Sequence, residues 1–272
     1  MASSTCVRSS ISAVTLADIA DVPQAAWVVI AALLGLIFGS FVTALSYRLP
    51  RGEDFVNARS KCPACGTSLA ARDLIPVVSW IFNRARCRVC ASVVSVRYPL
   101  TEILMAVLFT SAVWHDTRLA ELGLLLLSAV IMVTLAIIDL ETRRLPMSLL
   151  AILALACALL RWFGSGDLAH GLIIGALIAG LGLVTATATR IWLGAPIIGA
   201  GDAYALGIAG LALPWAVFDV FLAMAGGLGL ALGVGLRVVR GERMFPFAPV
   251  MFAALWFSLV FQEQLIGLVA EL

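Results

Sequence analysis

The sequence predicts an all-α polytopic membrane protein with about eight transmembrane helices and one small cytoplasmic loop domain. Of its 272 residues, 62% are hydrophobic and only 12% are charged, and the mean hydropathy is +1.07. This balance lies far outside the range of water-soluble domains. The apolar residues also form long runs, and a helix of about 20 apolar residues crosses the ~30 Å hydrocarbon layer.

Eight apolar runs between polar breaks are the candidate transmembrane helices. They are residues 27–47, 99–115, 120–138, 147–163, 168–190, 203–218, 219–236 and 247–269. The sixth and seventh runs are separated only by the region around Pro214 and Asp219, which makes the break between them short. Residues 1–24 contain no apolar segment typical of a signal peptide, so we expect the first run to remain as a helix.

The distribution of Lys and Arg predicts the orientation in the membrane, because positive residues are retained on the cytoplasmic side. Of the 18 basic residues, 15 fall on one predicted face and 3 on the other. This places the loop 48–98 in the cytoplasm and both termini outside. Since membrane topology explains the basic residues, the net charge of +2 does not indicate a nucleic-acid partner. The predicted partner is the lipid bilayer.

Four cysteines in the predicted cytoplasmic loop form two CxxC pairs. Cys62 and Cys65 are followed, after 21 intervening residues, by Cys87 and Cys90. Two such pairs can supply the four corners of a tetrahedral structural Zn²⁺ site. The alternative is a pair of disulfides, but the cytoplasm keeps thiols reduced. We therefore predict a small zinc-binding domain in which no ligand position is left open for a catalytic water.

Two aspartates lie at predicted cytoplasmic helix ends, 63 residues apart in the chain. Asp139 ends the third apolar run and Asp202 precedes the sixth, within the sequence GAGDAYAL. Paired carboxylates can share a proton, so that one activates a water while the other protonates a scissile amide. This favours aspartyl proteolysis. The alternative is that either aspartate caps a helix or is an interfacial charge.

Two other acids lie near membrane depth, where ionisable groups are costly and usually have a role. Glu102 follows the start of the second apolar run, and we expect it to pair with Arg97 or another loop cation. Asp219 falls near the outer face, where a capping or turn role is expected.

Motifs along most of the chain resemble those of one enzyme family. They are GSFVTALSYRLP at 39–50, CPACG at 62–66, IPVVSW at 75–80, CRVC at 87–90, SVRYPLTE at 95–102, IIDLETRRLP at 137–146, GAGDAYAL at 199–206 and PFAP at 246–249. In this order they resemble the type IV prepilin peptidases, bacterial membrane enzymes that also carry an N-methyltransferase activity. The resemblance implies that Asp139 and Asp202 are the catalytic aspartates and that the four cysteines bind zinc.

The resemblance also implies the reaction. Prepilins or type II secretion pseudopilins would be cut after the Gly that ends a basic leader, at the cytoplasmic face of the bacterial inner membrane. The new N-terminal residue would then be methylated, with S-adenosyl-L-methionine as the donor. The implied division of the chain is a tail at 1–26, a first transmembrane helix at 27–47, a zinc loop linked to methyl transfer at 48–98, and an aspartyl peptidase domain at 99–272.

Two alternatives remain open at this point. Thr43 stands where members of the family often have Asn, which favours a peptidase without methyltransferase activity. A protein of a different class, a transporter or assembly scaffold, would use the carboxylates to bind cations and the zinc loop to dock a partner.

Overall fold

A computed structural model of the chain describes residues 22–55, 57–114, 118–164, 166–195, 197–240 and 246–271. These residues form α-helices and two short 3₁₀ turns, and the described part of the chain contains no strand. Isolated antiparallel β-bridges pair Lys61 with Ser68 and Arg86 with Val93 in the cysteine loop. The all-helical fold class predicted from the sequence is confirmed. Most of the predicted tail at 1–26, the last residue of the predicted span 99–115, and residues 241–245 lie outside the described residues.

Ten helices are named here in chain order. They are α1 (Gln24–Arg48), α2 (Val78–Phe82), α3 (Arg97–Trp114), α4 (Leu119–Thr142), α5 (Met147–Gly164), α6 (Leu168–Leu193), α7 (Ala200–Ala212), α8 (Trp215–Arg240), α9 (Ala248–Val260) and α10 (Gln262–Ala270). The chain divides into two compact units, Met1–Leu122 and Gly123–Leu272, so α4 begins in the first unit and continues in the second.

In the first unit, two glycines let α1 pack closely against α3. A Cβ atom added at Gly35 would lie 2.5 Å from the Cα of Ala106, and one added at Gly39 would overlap the Cα of Glu102. The later glycine on α1 contacts the earlier residue on α3, so the two helices are antiparallel. Small residues at such contacts are typical of helices that pack within a membrane.

In the second unit, α6 and α7 are also antiparallel and in close contact. A Cβ added at Gly171 would lie 2.7 Å from the carbonyl oxygen of Leu211, and one added at Gly175 would lie 2.7 Å from that of Gly207. Because glycine has no side chain, the two backbones can approach to this distance. The pair fixes the position of α7, which carries Asp202.

Five described helices are long and apolar enough to cross a membrane, and a sixth crossing is obtained if a bent pair counts as one span. The five are Gln24–Arg51, Leu119–Thr142, Met147–Gly164, Leu168–Leu193 and Trp215–Val239. The bent pair is α9 and α10, which meet at 79°. A multi-pass membrane protein is therefore confirmed, while the number of eight spans stays a prediction.

The other two predicted spans are helical but do not meet the same criteria. The predicted span 99–115 corresponds to α3, whose first two turns include Arg97 and Glu102. The predicted span 203–218 corresponds to α7, which has 13 residues and is about 20 Å long. That length is less than the ~30 Å hydrocarbon layer.

The observed break lies in the predicted region around Pro214 and Asp219, but the predicted boundary between residues 218 and 219 is too late in the chain. The interruption falls at Leu213 and Pro214, and α8 begins at Trp215. Leu213 has extended backbone angles, because a residue before proline is driven out of the helical region and proline lacks the N–H that would continue the helix. Asp219 lies exposed inside α8 rather than at a turn.

Candidate active site and metal centre

The two CxxC segments fold into matching turns. In the first, the N–H of Gly66 donates to the carbonyl of Cys62, and in the second the N–H of Ala91 donates to that of Cys87, both at 2.9 Å. Gly66 and Ala91 occupy the same place in their turns, and both have positive φ angles, of 70° and 57°. Each turn is closed by an isolated antiparallel bridge. The two segments are thus structural repeats.

The four cysteine sulfur atoms form a cluster that fits one tetrahedral metal ion. All four lie within 4.8 Å of one another, and the Sγ atoms of Cys62 and Cys90 are 3.9 Å apart. Thiolates at about 2.3 Å from a Zn²⁺ ion have sulfur atoms about 3.8 Å apart. The four thiols are free, and a disulfide requires about 2.05 Å. The two-disulfide alternative therefore does not describe the cluster.

The first turn also favours the thiolate form of Cys62, the form that binds metals. Hydrogen bonds from the backbone N–H groups of Cys65 and Ala64 lower the pKa of the Cys62 thiol to about 6. Backbone donors stabilise the negative charge on sulfur, and a thiol with a lowered pKa is the better ligand.

Asp139 lies in the last turn of α4, and it is only 6% exposed. Its Oδ2 atom accepts a hydrogen bond of 3.3 Å from the backbone N–H of Ala248, the first residue of α9. An unpaired N–H at a helix start is a natural partner for a carboxylate. This contact brings the motif PFAP at 246–249 next to Asp139, a relationship that the sequence did not indicate.

Asp202 lies in the first turn of α7, a helix that is not among the candidate spans. Burial and the neighbouring carboxylate of Asp139 raise the pKa of Asp202 to about 6, although the backbone of Gly199 acts in the opposite direction. The interaction of the two charges shows that the second unit brings the two predicted aspartates together. Like charges at close range disfavour double ionisation, which is the condition for sharing one proton.

Gly201 explains how the start of α7 reaches the end of α4. A Cβ atom at Gly201 would lie 2.9 Å from the Cβ of Leu145, in the loop that follows α4. Any larger residue at this position would push the two segments apart. The glycine before Asp202 therefore has a packing role that places one carboxylate beside the other.

Glu102 is buried in the first unit, and its hydrogen-bond partners lie on two other segments. The backbone N–H of Val77 donates to its Oε2 atom at 2.7 Å, and the side chain of Ser40 on α1 also hydrogen-bonds to it. Arg97, the cation that the sequence suggested as its partner, donates from Nη2 to the Oγ of Ser46 at 3.2 Å. The neutral partners of Glu102 could not be inferred from residue types alone.

The fold and the two sites define a class of membrane protein. The chain is polytopic, with a four-cysteine cluster in a loop that fits a metal ion and with two neighbouring carboxylates at helix ends. Such carboxylates can carry out acid–base chemistry.

Comparison with known proteins identifies the family. Residues 33–116 match the family described as the bacterial peptidase A24 N-terminal domain. The chain is 32% identical over 212 residues to a prepilin leader peptidase/N-methyltransferase of Myxococcus xanthus, covering 77% of this chain and 63% of that protein. A protein of the same name from Dichelobacter nodosus is 30% identical over 268 residues, covering 86% and 91%. Another from Stutzerimonas stutzeri is 27% identical over 271 residues, covering 88% and 92%.

The chain belongs to the prepilin leader peptidase/N-methyltransferase family. The resemblance of its motifs to this family is confirmed. No solved structure matches the chain.

Proposed function

We propose that this protein cleaves the leader peptide from type IV prepilins or type II secretion pseudopilins after Gly and methylates the new N-terminal residue. Both activities are in the names of its relatives, which match it over most of its length. S-adenosyl-L-methionine is the proposed second substrate of the methylation step. The observation that carries the peptidase assignment is the pairing of Asp139 with Asp202 in the second unit.

Asp139 and Asp202 are the proposed catalytic pair. Asp139 receives a backbone hydrogen bond from Ala248 that helps it hold negative charge, so it is proposed to take a proton from the attacking water. Asp202, protonated beside it, gives its proton to the leaving amide nitrogen. Water oxygen bonds to the carbonyl carbon, the C–N bond breaks, and a carboxyl and an amine are formed. The amine is the N-terminus that is then methylated.

Zn²⁺ is the metal proposed for Cys62, Cys65, Cys87 and Cys90. The sulfur spacing supports a single tetrahedral ion. With four cysteine ligands the ion would be structural, stabilising the fold of loop 48–98. Chelation should therefore release a metal ion that elemental analysis identifies as zinc, at one ion per chain.

The proposed location is the bacterial inner membrane, with the zinc loop and the aspartate pair facing the cytoplasm. The excess of Lys and Arg on one face supports this orientation. The contact between Ala248 and Asp139 also agrees with it, because both the end of α4 and the start of α9 are predicted on the cytoplasmic side. Reporter fusions after Arg144 and after Gly164 test it, since they should report opposite sides.

A second candidate function is the peptidase without methyl transfer. The observation that favours it is Thr43, which replaces the Asn that relatives often have and whose hydroxyl donates to the carbonyl of Gly39 within α1 at 2.9 Å. Thr43 has no side-chain amide, and its hydroxyl is already hydrogen-bonded within its own helix. It therefore does not replace the contacts that the amide of an Asn could make to a substrate or methyl donor.

One experiment separates these functions. The purified full chain is reconstituted in lipid nanodiscs with a prepilin and S-adenosyl-L-methionine, and the products are measured by mass spectrometry. A mature pilin that begins after the Gly and carries one additional methyl group supports the proposed function. An unmethylated mature pilin would instead establish the peptidase alone. An uncut prepilin, with a known family member active in parallel, would contradict both and favour the transporter or scaffold.

A further inference from the structure

The segment from Leu74 to Phe82 carries an exposed apolar face. Its exposed side chains are Leu74 at 41%, Ile75 at 48%, Val78 at 44%, Ile81 at 59% and Phe82 at 82%. Within α2, Val78, Ile81 and Phe82 have the spacing that places side chains on one side of a helix. Trp80 faces the loop instead, and its indole N–H donates to the carbonyl of Val94 at 3.1 Å. The apolar side of α2 is therefore the outer side.

The depth of this segment is set by Glu102. The carboxylate of Glu102 accepts from the N–H of Val77 immediately before α2, and it also contacts Ser40 on α1. Gly39, the neighbour of Ser40, packs against the Cα of Glu102. Gly39 lies nine residues before the end of α1 at Arg48, or about 14 Å along the helix axis. Val77 is thus held beside the apolar length of α1, below its end.

The backbone conformation of Val77 is strained, which indicates that the contact with Glu102 holds the loop at this depth. Val77 has a φ angle of 59° and a ψ angle of −49°, the conformation of a classic γ-turn, which is rare and strained. It caps the start of α2, and across this turn the N–H of Val78 donates to the carbonyl of Pro76. The buried carboxylate of Glu102 stabilises this turn by accepting the N–H that the turn presents.

The charges next to the apolar face match an anionic membrane surface. No Asp or Glu occurs between Leu74 and Arg86, and the charge of Asp73, just before Leu74, is paired with Arg88 at 3.1 Å. Arg84 and Arg86 follow the face, and both are exposed. An apolar helix face bordered by arginines is the pattern of an interfacial segment, which inserts apolar side chains below lipid phosphates and places its cations against them.

We propose that residues 74–82 form an interfacial anchor that enters the cytoplasmic leaflet and fixes the cysteine loop to the membrane, with lipid as its partner. The anchor is continuous with the membrane contact of α1, because Glu102 joins the two at one depth. This role is independent of the proposed catalytic function, since it involves neither aspartate of the second unit.

The test uses a fluorescent amino acid introduced at Phe82 in the full chain. The protein is reconstituted in nanodiscs of phosphatidylethanolamine and phosphatidylglycerol, with or without lipids that carry a nitroxide quencher near the top of the acyl chain. The matched control carries the same label at Ala64, an exposed residue of the first cysteine turn. A second variant pair, Glu102→Gln and Glu102→Leu, is measured with the label at Phe82, because only Gln keeps an acceptor oxygen for Val77.

We expect quenching at Phe82 at least severalfold stronger than at Ala64, at a single copy per nanodisc and without substrate. Glu102→Leu should reduce this quenching, while Glu102→Gln retains it. Equal quenching at both positions would overturn the proposal. Burial of the label only when prepilin is added, or only when two copies share a nanodisc, would also overturn it by identifying the apolar face as a protein-binding surface. If Glu102→Leu fails to fold, the comparison of Phe82 with Ala64 decides the matter alone.

Discussion

The backbone of Gly201 lies so close to Leu145 that a Cβ atom would be 2.9 Å from the Cβ of that leucine. Gly201 immediately precedes Asp202, and Leu145 lies six residues beyond Asp139. The contact therefore joins the chain segments that carry the two carboxylates. It indicates that the glycine before Asp202 is required for spacing, and not only for backbone freedom.

Replacing Gly201 with Ala should reduce prepilin cleavage by about tenfold, because overpacking by one methyl group costs roughly 1–3 kcal/mol and about 1.4 kcal/mol of transition-state stabilisation is tenfold in rate. The measurement is kcat/KM in nanodiscs. Adding Leu145→Ala should restore part of the rate by making space for the methyl group. Gly180→Ala is the matched control, since a Cβ at Gly180 meets nothing within 4 Å. An unaffected Gly201→Ala enzyme would refute the spacing role.

Removing one cysteine of the cluster should release the metal and loosen the loop. Cys90→Ser is expected to lower bound zinc below one ion per chain. It should also speed tryptic cleavage after Arg59, Lys61, Arg84 and Arg86, because a structural metal site stabilises the fold around it and the loosened backbone enters a protease more readily. Cys157→Ala is the control, since Cys157 is fully buried in α5 away from the cluster. Elemental analysis and limited proteolysis measure the two effects. Full zinc content in Cys90→Ser would show that this thiol is not a ligand.

The two turns should respond in opposite directions to exchange of Gly and Ala. Ala91 has a φ of 57°, and a left-handed conformation costs an L-residue roughly 1–2 kcal/mol. Ala91→Gly should therefore slow zinc transfer to a chelator, whereas Gly66→Ala should accelerate it by a comparable factor. A Cβ at Gly66 meets nothing within 4 Å, so only the backbone angle is tested there. Changes of the same sign in both variants would count against the repeat relationship.

The sequence predicted features that depend on local spacing more accurately than features that depend on tertiary contacts. The four cysteines were recognisable because each pair is two residues apart, and the structure brings all four together. Asp139 and Asp202 were singled out because charge is rare at membrane depth, and the fold makes them neighbours. Their catalytic role stays a prediction.

Other features could not be predicted because both partners had to be placed in space first. The N–H of Ala248 reaches Asp139 across 109 residues of chain, and that of Val77 reaches Glu102 on another helix. Every residue except proline has a backbone N–H, so residue types do not indicate which N–H will donate to a given carboxylate. The sequence indicated Pro214 and Asp219 together as the region of the break before α8, but hydropathy set the boundary at 218/219, whereas the geometry of proline places it at Leu213 and Pro214.

The most direct test of the central claim is the cleavage rate of Asp139→Asn and Asp202→Asn enzymes, each purified in nanodiscs and compared with Asp219→Asn. Asp219 is an exposed acid within α8 and serves as the matched control. Each change to Asn in the pair should lower the rate of prepilin cleavage by at least about a hundredfold, because it removes a group that transfers a proton, while methylation of a pre-cut pilin persists. Asp219→Asn should cleave at the wild-type rate. Wild-type cleavage by either Asp139→Asn or Asp202→Asn would contradict the paired-carboxylate account.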